Sequence, residues 1–420
     1  MKFRDFFSLQ QQEVIRQLSN LAPDRLYAVG GIVRDYLLGK PPFPKDIDLM
    51  IEGDCIAVAK ALHRLYPHTK LQTFPKFLTA ELVFPEFVLD IASARREAYP
   101  YPGANPQVTA CSFGEDLARR DFTVNALAIA IRPDFVVEEG AIIDHFHGLA
   151  DLERRLIRPI KSGTFVEDPR RIFRAIRFAV KLDFALATET VQEIQSTIAS
   201  NIHRDVGGSR FRAELLYILA PDFFPHRSVI MLEKLESFHA LSCIHHQLRL
   251  PANLGLLLRR LQRWHSYFLP HYDRQELALE LLASNLSLEA GIKVELIRGE
   301  AVKHLTPLPK LLHQLPALTH ASTSRIVNTL ENYELPTLVL AGVLSPDRLV
   351  IWQYLTRWRN CPPLVNGHDL QKWGCPRGKT IGLFLKELRS LQLDGKLHSY
   401  QEAEHLVKSW LREYSYAPSS

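Results

Sequence analysis

Up to residue 140, short apolar runs alternate with stretches of helical period; beyond residue 165 the helical period takes over. LYAVGG (26–31) predicts a strand entering a turn, and the residues from Ile32 to Leu38 a helix ended by Gly39 and the Pro41-Pro42 pair. KDIDLMI (45–51) predicts a second strand, and the segment from Asp54 to Tyr66 carries helical spacing at Ile56, Ala59, Ala61 and Leu62. LTAELVF (78–84) and FVLDIAS (87–93) read as two more strands joined by a turn at Pro85. The Pro- and Gly-rich EAYPYPGANPQVT (97–109) reads as a loop. The run from Phe122 to Ile131 is either a helix or a buried strand, two states that periodicity does not separate. RIFRAIRFAV, SRFRAELLYIL and LGLLLRRLQRW then set apolar residues at three- and four-residue steps with basic residues between them. No internal repeat interrupts the pattern. It predicts an α+β chain, with a front domain built on a small mixed sheet with helices and a long all-helical remainder.

One strand breaks its own pattern. In KDIDLMI, Asp46 and Asp48 stand two apart, so both carboxylates point to one face, about 6–7 Å from each other. At an effective dielectric near 20 their repulsion costs on the order of 2 kcal/mol. A lone D-x-D is equally a solvated strand end. Two same-face carboxylates can also share divalent metal, and Mg²⁺ takes a few carboxylates together with substrate phosphates. Metal held there would activate an attacking hydroxyl and neutralise a leaving pyrophosphate. Gly30 and Gly31, between a strand and a helix, leave backbone N–H groups open to a phosphate. Arg34, in the first helical turn, opposes the helix dipole, and a bound polyphosphate would compensate it.

Two further strings carry candidate chemistry. In RRDFTVNAL (119–127) two arginines flank an aspartate, a set that suits phosphate and ribose hydroxyls and equally a loop salt bridge. In EDPRRIFRAIRF, Asp168-Pro169 is a helix start, with Ile172, Phe173, Ile176 and Val180 on one stripe and Arg170, Arg174, Arg177 and Lys181 on another. This is a capped amphipathic helix with a solvated basic side, or a reader of bases. A carboxylate accepts and a guanidinium donates, so Asp168 with Arg171 can satisfy cytosine or adenine, whose amino group lies beside a ring-nitrogen acceptor. Uracil and guanine present the reverse order and would leave polar groups unpaired, at roughly 1–3 kcal/mol each.

The bulk numbers exclude little. The 420 residues are 46% apolar and 23% charged, ordinary for a globular chain of one to three domains. A net charge of +5 permits a nucleic-acid partner without demanding one. The five cysteines form no C-x-x-C pair and fit a reducing cytoplasm, and no run is long and apolar enough for a membrane span. GCPRGKT is one residue short of a phosphate-binding Walker loop, and His368-Asp369 lacks the spaced ligands of a metal phosphohydrolase.

AVGGIVRDYLLGKPPFPKDIDLMIEGD, with RRDFTVNAL and EDPRRIFRAIRF in order behind it, resembles the signature of the tRNA nucleotidyltransferase and bacterial poly(A) polymerase family, within the polymerase-β-type nucleotidyltransferases. The resemblance implies a catalytic head over 1–140, a helical neck over 141–225, a body over 226–345 and a tRNA-binding tail over 346–420. It implies Asp46 and Asp48 as catalytic metal ligands for Mg²⁺, with Asp90 in the place of a third carboxylate. It implies nucleotide contacts at Gly30, Gly31, Arg34, Arg120, Asp121, Asp168, Arg171, Arg174 and Arg177, with Asn125 near the ribose and Glu214 as a buried salt-bridge partner. The partners implied are CTP, ATP and the tRNA acceptor arm and 3′ end, with Lys372, Trp373, Arg377 and Lys379 as tail contacts. CCA, CC-only, A-only and poly(A) addition share these motifs. The 97–109 loop is not obviously shortened, which leans against CC-only addition, and CCA addition is the expectation. IIDHFHGLADLERRLIRPI (142–160) departs from the family's linking motif, because His147 stands where a first glycine is usual.

Overall fold

A computed structural model describes residues 2–23, 25–100, 106–132, 142–201 and 208–415. The chain forms two compact units, residues 1–218 with 226–250, and residues 219–225 with 251–420.

The first unit is built on a seven-stranded sheet. Helix α1 (Leu9–Leu21) precedes β1 (Leu26–Val29), and α2 (Gly31–Leu37) leads to β2 (Asp46–Ile51). After α3 (Cys55–Leu65) come β3 (Lys70–Phe74), β4 (Thr79–Val83) and β5 (Val88–Ser93), and later β8 (Ala128–Ile131) and β9 (Ile142–Ile143). The strand order is β3-β4-β5-β2-β1-β8-β9. Within this sheet, among the described residues, only β2 and β5 pair in parallel, and their register sets Asp48 beside Asp90. In β2, Ile47 is buried between exposed Asp46 and Asp48, and Leu49, Met50 and Ile51 are all buried. The aspartates therefore sit where the strand leaves the core.

Three expectations need correction. The 97–109 segment is only partly a loop: β6 (Arg95–Ala98) and β7 (Gln107–Ala110) pair as an antiparallel hairpin, while residues 101–105 lie outside the described residues. The Phe122–Ile131 run is neither a single helix nor a single strand. A 3₁₀ turn at Thr123–Asn125 feeds β8, which is buried because β1 flanks it on one side and β9 on the other. Asp168 does not share a helix with Arg171. It is extended and follows the four-residue α6 (Thr164–Glu167), and α7 (Arg170–Leu182) begins after Pro169. Its carboxylate still accepts the Arg170 backbone N–H at 3.2 Å, a cap one residue ahead of the helix.

The linking segment shows why one of its two glycines is dispensable. His147 adopts the left-handed conformation, φ +59° and ψ +31°, at the start of α5 (Gly148–Glu153), and the Asp144 carboxylate accepts the N–H groups of Phe146, Gly148 and Leu149. At Gly148 a Cβ would lie 2.4 Å from the Thr123 carbonyl oxygen. Position 147 needs a backbone angle, which histidine adopts at a cost; position 148 needs space, which no other residue leaves. In chemical denaturation, His147→Gly is expected to stabilise the chain by about 0.5–1 kcal/mol. Gly148→Ala is expected to destabilise it by about 2 kcal/mol or more.

Helices α8 (Thr188–Ala199), α9 (Gly208–Ile218) and α10 (His226–Ser237) complete the first unit. Among the described residues the second unit is helical throughout. The helices Leu254–Phe268 and Leu335–Leu344 meet where Gly342 admits Trp264, and three helices over Gly367–Ser415 surround a core that includes Leu370, Phe384 and Val407. All five cysteines are free, and no helix among the described residues is long and apolar enough to cross a membrane.

Candidate active site

A cleft of about 960 Å³ in the first unit gathers every residue singled out above for metal or nucleotide. The sheet supplies the carboxylates. Asp46 and Asp48 project from the exposed end of β2, and Asp90 faces the same cleft from β5. Burial by the cleft walls pushes the Asp48 carboxyl up; Asp46 adds to the shift, while Arg120 and Arg34 oppose it. Burial and the charges of Asp48, Glu81 and Asp46 push Asp90 up to about 6. A cluster of carboxylates short of positive charge is the electrostatic signature of a cation site. No three potential ligands among the described residues already close around a metal-sized space. The residues therefore fit a metal carried by two strand carboxylates and completed by phosphate oxygens and water, the arrangement Mg²⁺ favours.

The turn from β1 to α2 forms one wall. Gly30 has φ +69°, and a Cβ there would lie 2.9 Å from Arg120 Nη1, so the glycine lets that guanidinium close against the turn. The buried Arg34 donates to Asp35 at 2.9 Å and to Asn125 at 2.5 Å and stacks over Phe178. Arg34 falls in the last turn of the seven-residue α2, where a cation does not oppose the helix dipole, so the expected need for a compensating phosphate does not stand; these contacts fix its guanidinium.

The segment from Phe113 to Asn125 and helix α7 form the basic wall. Asp121 accepts Arg174 Nε at 2.7 Å, the Asn125 amide at 3.1 Å and the Phe122 N–H at 2.8 Å, so it orients Arg174 and has little left for a ribose. Arg177 donates to buried Glu214 at 3.2 Å and stacks on Phe178 and Tyr217. Arg171 donates to Thr164, Glu167 and the Arg119 carbonyl. On the basic side of α7, Arg170, Arg174 and Arg177 are half-buried and Lys181 is exposed, and all four line the cleft.

Three of these carboxyls are held below the ordinary range. Burial raises Asp121, but Arg174 and Asn125 outweigh it; burial likewise loses to Arg120 and Arg119 at Asp116, and to Arg170 and Arg210 at Asp168. A group whose folded pKa is depressed contributes fully above the ordinary value of about 4, and the contribution is lost as pH falls through the folded value. The melting temperature is expected to lose these contributions only below a pH of about 4. Arg174→Gln should move the acid onset upward in circular-dichroism melts.

A family model described as the poly A polymerase head domain matches residues 26–158. The chain is 36% identical over 385 residues to the A-adding tRNA nucleotidyltransferase of Aquifex aeolicus, covering 87% of this chain and 44% of that protein. It is 29% identical over 406 residues to the A-adding tRNA nucleotidyltransferase of Halalkalibacterium halodurans, covering 95% of this chain and 92% of that one. Among solved structures, the Thermotoga maritima CCA-adding enzyme complexed with tRNA matches with a TM-score of 0.72 at 25% identity over 97% of each chain. The chain belongs to the tRNA nucleotidyltransferase and poly(A) polymerase family. It spans less than half the length of its Aquifex relative.

Within this family's head, the sequence reading missed Asp116 and the Arg95–Glu97 hairpin edge. Asp116 is 1% exposed and accepts from both Arg119 and Arg120, three and four residues on, and from the Arg95 N–H. Its helical spacing to the two arginines was the available signal. Arg119 also donates to Glu97 at 2.8 Å, a cross-chain pairing that no local pattern announces. Arg170 was assigned to a basic stripe, but its guanidinium forks onto Asp168.

Proposed function

We propose that this chain is a metal-dependent tRNA nucleotidyltransferase that adds CCA to the tRNA 3′ end from CTP and ATP, without a nucleic-acid template, releasing pyrophosphate. One observation carries the reading: the β2 carboxylates, the Gly30-Gly31 turn and the Asp168–Arg171 pair line a single cleft. Asp46 and Asp48 would hold Mg²⁺, which when bound supplies charge neutralisation at the phosphates and a more acidic attacking hydroxyl. Arg120, closed against the Gly30 turn, lies where it can meet the triphosphate. Arg171 reads the acceptors of the base and Asp168 its amino group. Asp121, Asn125 and Glu214 position Arg174, Arg34 and Arg177. Positioning and charge account for the catalysis. The four-part division at 140, 225 and 345 belongs to this reading, as does a cytoplasmic site of action. Exposed Lys372, Arg377 and Lys379 of the tail, with Trp373, would hold the tRNA backbone.

Addition of A alone is the second reading. It is favoured by the names of relatives at 36%, 36% and 29% identity, all A-adding, although others are named CC-adding and CCA-adding. The test supplies purified protein and Mg²⁺ with tRNAs ending three, two or one nucleotide short of full CCA, each with one labelled nucleotide. Incorporation on all three is expected. Labelling from ATP only, on the tRNA one nucleotide short, would establish the second reading. No incorporation on any would mean an RNA-binding module without activity.

A further inference from the structure

The Asp168 carboxylate has at most one acceptor site left, on Oδ2. An ionised carboxylate offers about four lone-pair sites. Arg170 takes three of them: Nε donates to Oδ1 at 2.9 Å, Nη2 to Oδ2 at 2.5 Å, and its backbone N–H to Oδ1 at 3.2 Å. Arg210 Nη2 stands 3.5 Å from Oδ2. Asp168 is buried, and the Arg170 side chain is 26% exposed at the cleft wall. Arg171 differs. Thr164 and Glu167 use both Nη1 protons and the Arg119 carbonyl one of Nη2, so Nε and the other Nη2 proton have no partner among the described residues.

The two halves of the base-reading pair are therefore not equally ready. Arg171 can donate to a base at once. The one site left on Asp168 faces Arg210, so an amino group gains a full place there when a donor leaves, and the two side-chain bonds of the solvent-accessible Arg170 are the ones that can leave without moving the backbone. With the Arg170 fork in place, the Asp168–Arg171 pair shows a base two guanidinium groups and only the Oδ2 site that faces Arg210. That pattern suits a carbonyl-bearing edge better than an amino-bearing one.

We propose that Arg170 is a specificity-determining residue that competes with the incoming base for Asp168, so that cytosine or adenine binds by exchanging its amino group for the Arg170 fork. This rests on the base-reading role of Asp168 proposed above. The exchange takes two fork bonds from Asp168 and returns one from the amino group, while Arg170 swings to solvent and is hydrated there. Uracil and guanine, with a carbonyl at that place, cannot take over the carboxylate. The apparent affinity for CTP and ATP is lowered by the fraction of sites in which the fork is closed. A site closed about 90% of the time binds about tenfold more weakly than an open one.

Equilibrium binding of CTP, UTP, ATP and GTP tests this on the full chain with Arg170→Lys, which keeps the charge but loses the fork, and Arg170→Gln, which loses both. Both variants should raise the CTP-over-UTP and ATP-over-GTP affinity ratios about five- to tenfold. A uniform change across the four nucleotides would assign Arg170 to general electrostatics and overturn the proposal, and so would unchanged ratios. Asp168→Ala separates the two levels. If it collapses the ratios while the Arg170 variants leave them alone, only the competition is wrong. If Asp168→Ala leaves the ratios intact, the base-reading role falls and the competition with it.

Discussion

Asp48→Ala is expected to lower nucleotide incorporation by about a thousandfold or more while leaving the chain folded and slightly harder to melt. The two effects share one cause. Asp48 lies beside Asp90 across the parallel β2–β5 pair and two residues from Asp46 on the same face. Burial and Asp46 both raise its carboxyl, so its ionised form is a net cost to the ligand-free fold. Removing it relieves the burial cost and the repulsion from Asp46, less the attraction to Arg120 and Arg34 that is lost with it. The same substitution removes one of the two strand carboxylates that would hold metal against the phosphates. A loss of about 4 kcal/mol in transition-state stabilisation corresponds to a factor of a thousand. Labelled-nucleotide incorporation and thermal melts, measured on one preparation, check both arms. Turnover within tenfold of the parent would remove the metal-site reading altogether. A lost activity with a lowered melting temperature would mean that Asp48 has a structural role the geometry does not show.

That opposition between stability and function is also what made this part of the site legible in the sequence. A strand that carries two same-face charges into a core is locally inconsistent, and such inconsistencies mark functional positions. Gly30 was legible for a related reason, since a positive φ with an arginine 2.9 Å from its missing Cβ leaves only glycine. The strands from β1 to β5 followed the apolar runs, with one exception. β3, KLQTF, is an edge strand whose alternation is only half buried, so it has no hydrophobic signature strong enough to announce it. What the sequence hid is the set of partners between side chains far apart in the chain. Arg34 reads as a cation in search of a phosphate, yet Asn125, 91 residues on, already holds it. The 97–109 stretch reads as a loop because its Pro and Gly cluster in the middle of its sequence, while Arg95–Ala98 and Gln107–Ala110 pair with each other. Asp168 reads as a free acceptor because nothing in EDPRRIFR indicates that its first arginine, Arg170, turns back upon it.

The hidden partner with the largest expected effect is Asp116. Asp116→Ala should cost about 3–5 kcal/mol of stability, because it removes a buried carboxylate and leaves its cations without a counter-charge. Arg119 approaches Asp116 at 2.7 Å, Arg120 at 3.1 Å, and the Arg95 backbone N–H at 3.1 Å. Burial and the Arg119 charge already lower the Arg95 guanidinium, and Glu97 and Asp116 are what offset this. Without Asp116, Arg95 and Arg119 share Glu97 as their remaining close counter-charge, and Arg120 loses both side-chain bonds that draw it against the Gly30 turn. Asp116→Asn keeps the shape and part of the hydrogen bonding, so its cost should fall between the parent and the alanine variant. The kinetic signature follows from the geometry. Arg120 lies against the Gly30 turn, where the proposed function puts the triphosphate, and no hydrogen bond or ion pair joins it to Asp168 or Arg171, so KM should rise about equally for every nucleotide while the choice among bases stays as it was. Urea melts give the first quantity, and incorporation kinetics with each nucleotide give the second. A stability loss below about 1 kcal/mol would mean that Arg119 and Arg120 find other partners. A change confined to one base would tie this cluster to base reading, against the separation of phosphate and base contacts drawn here.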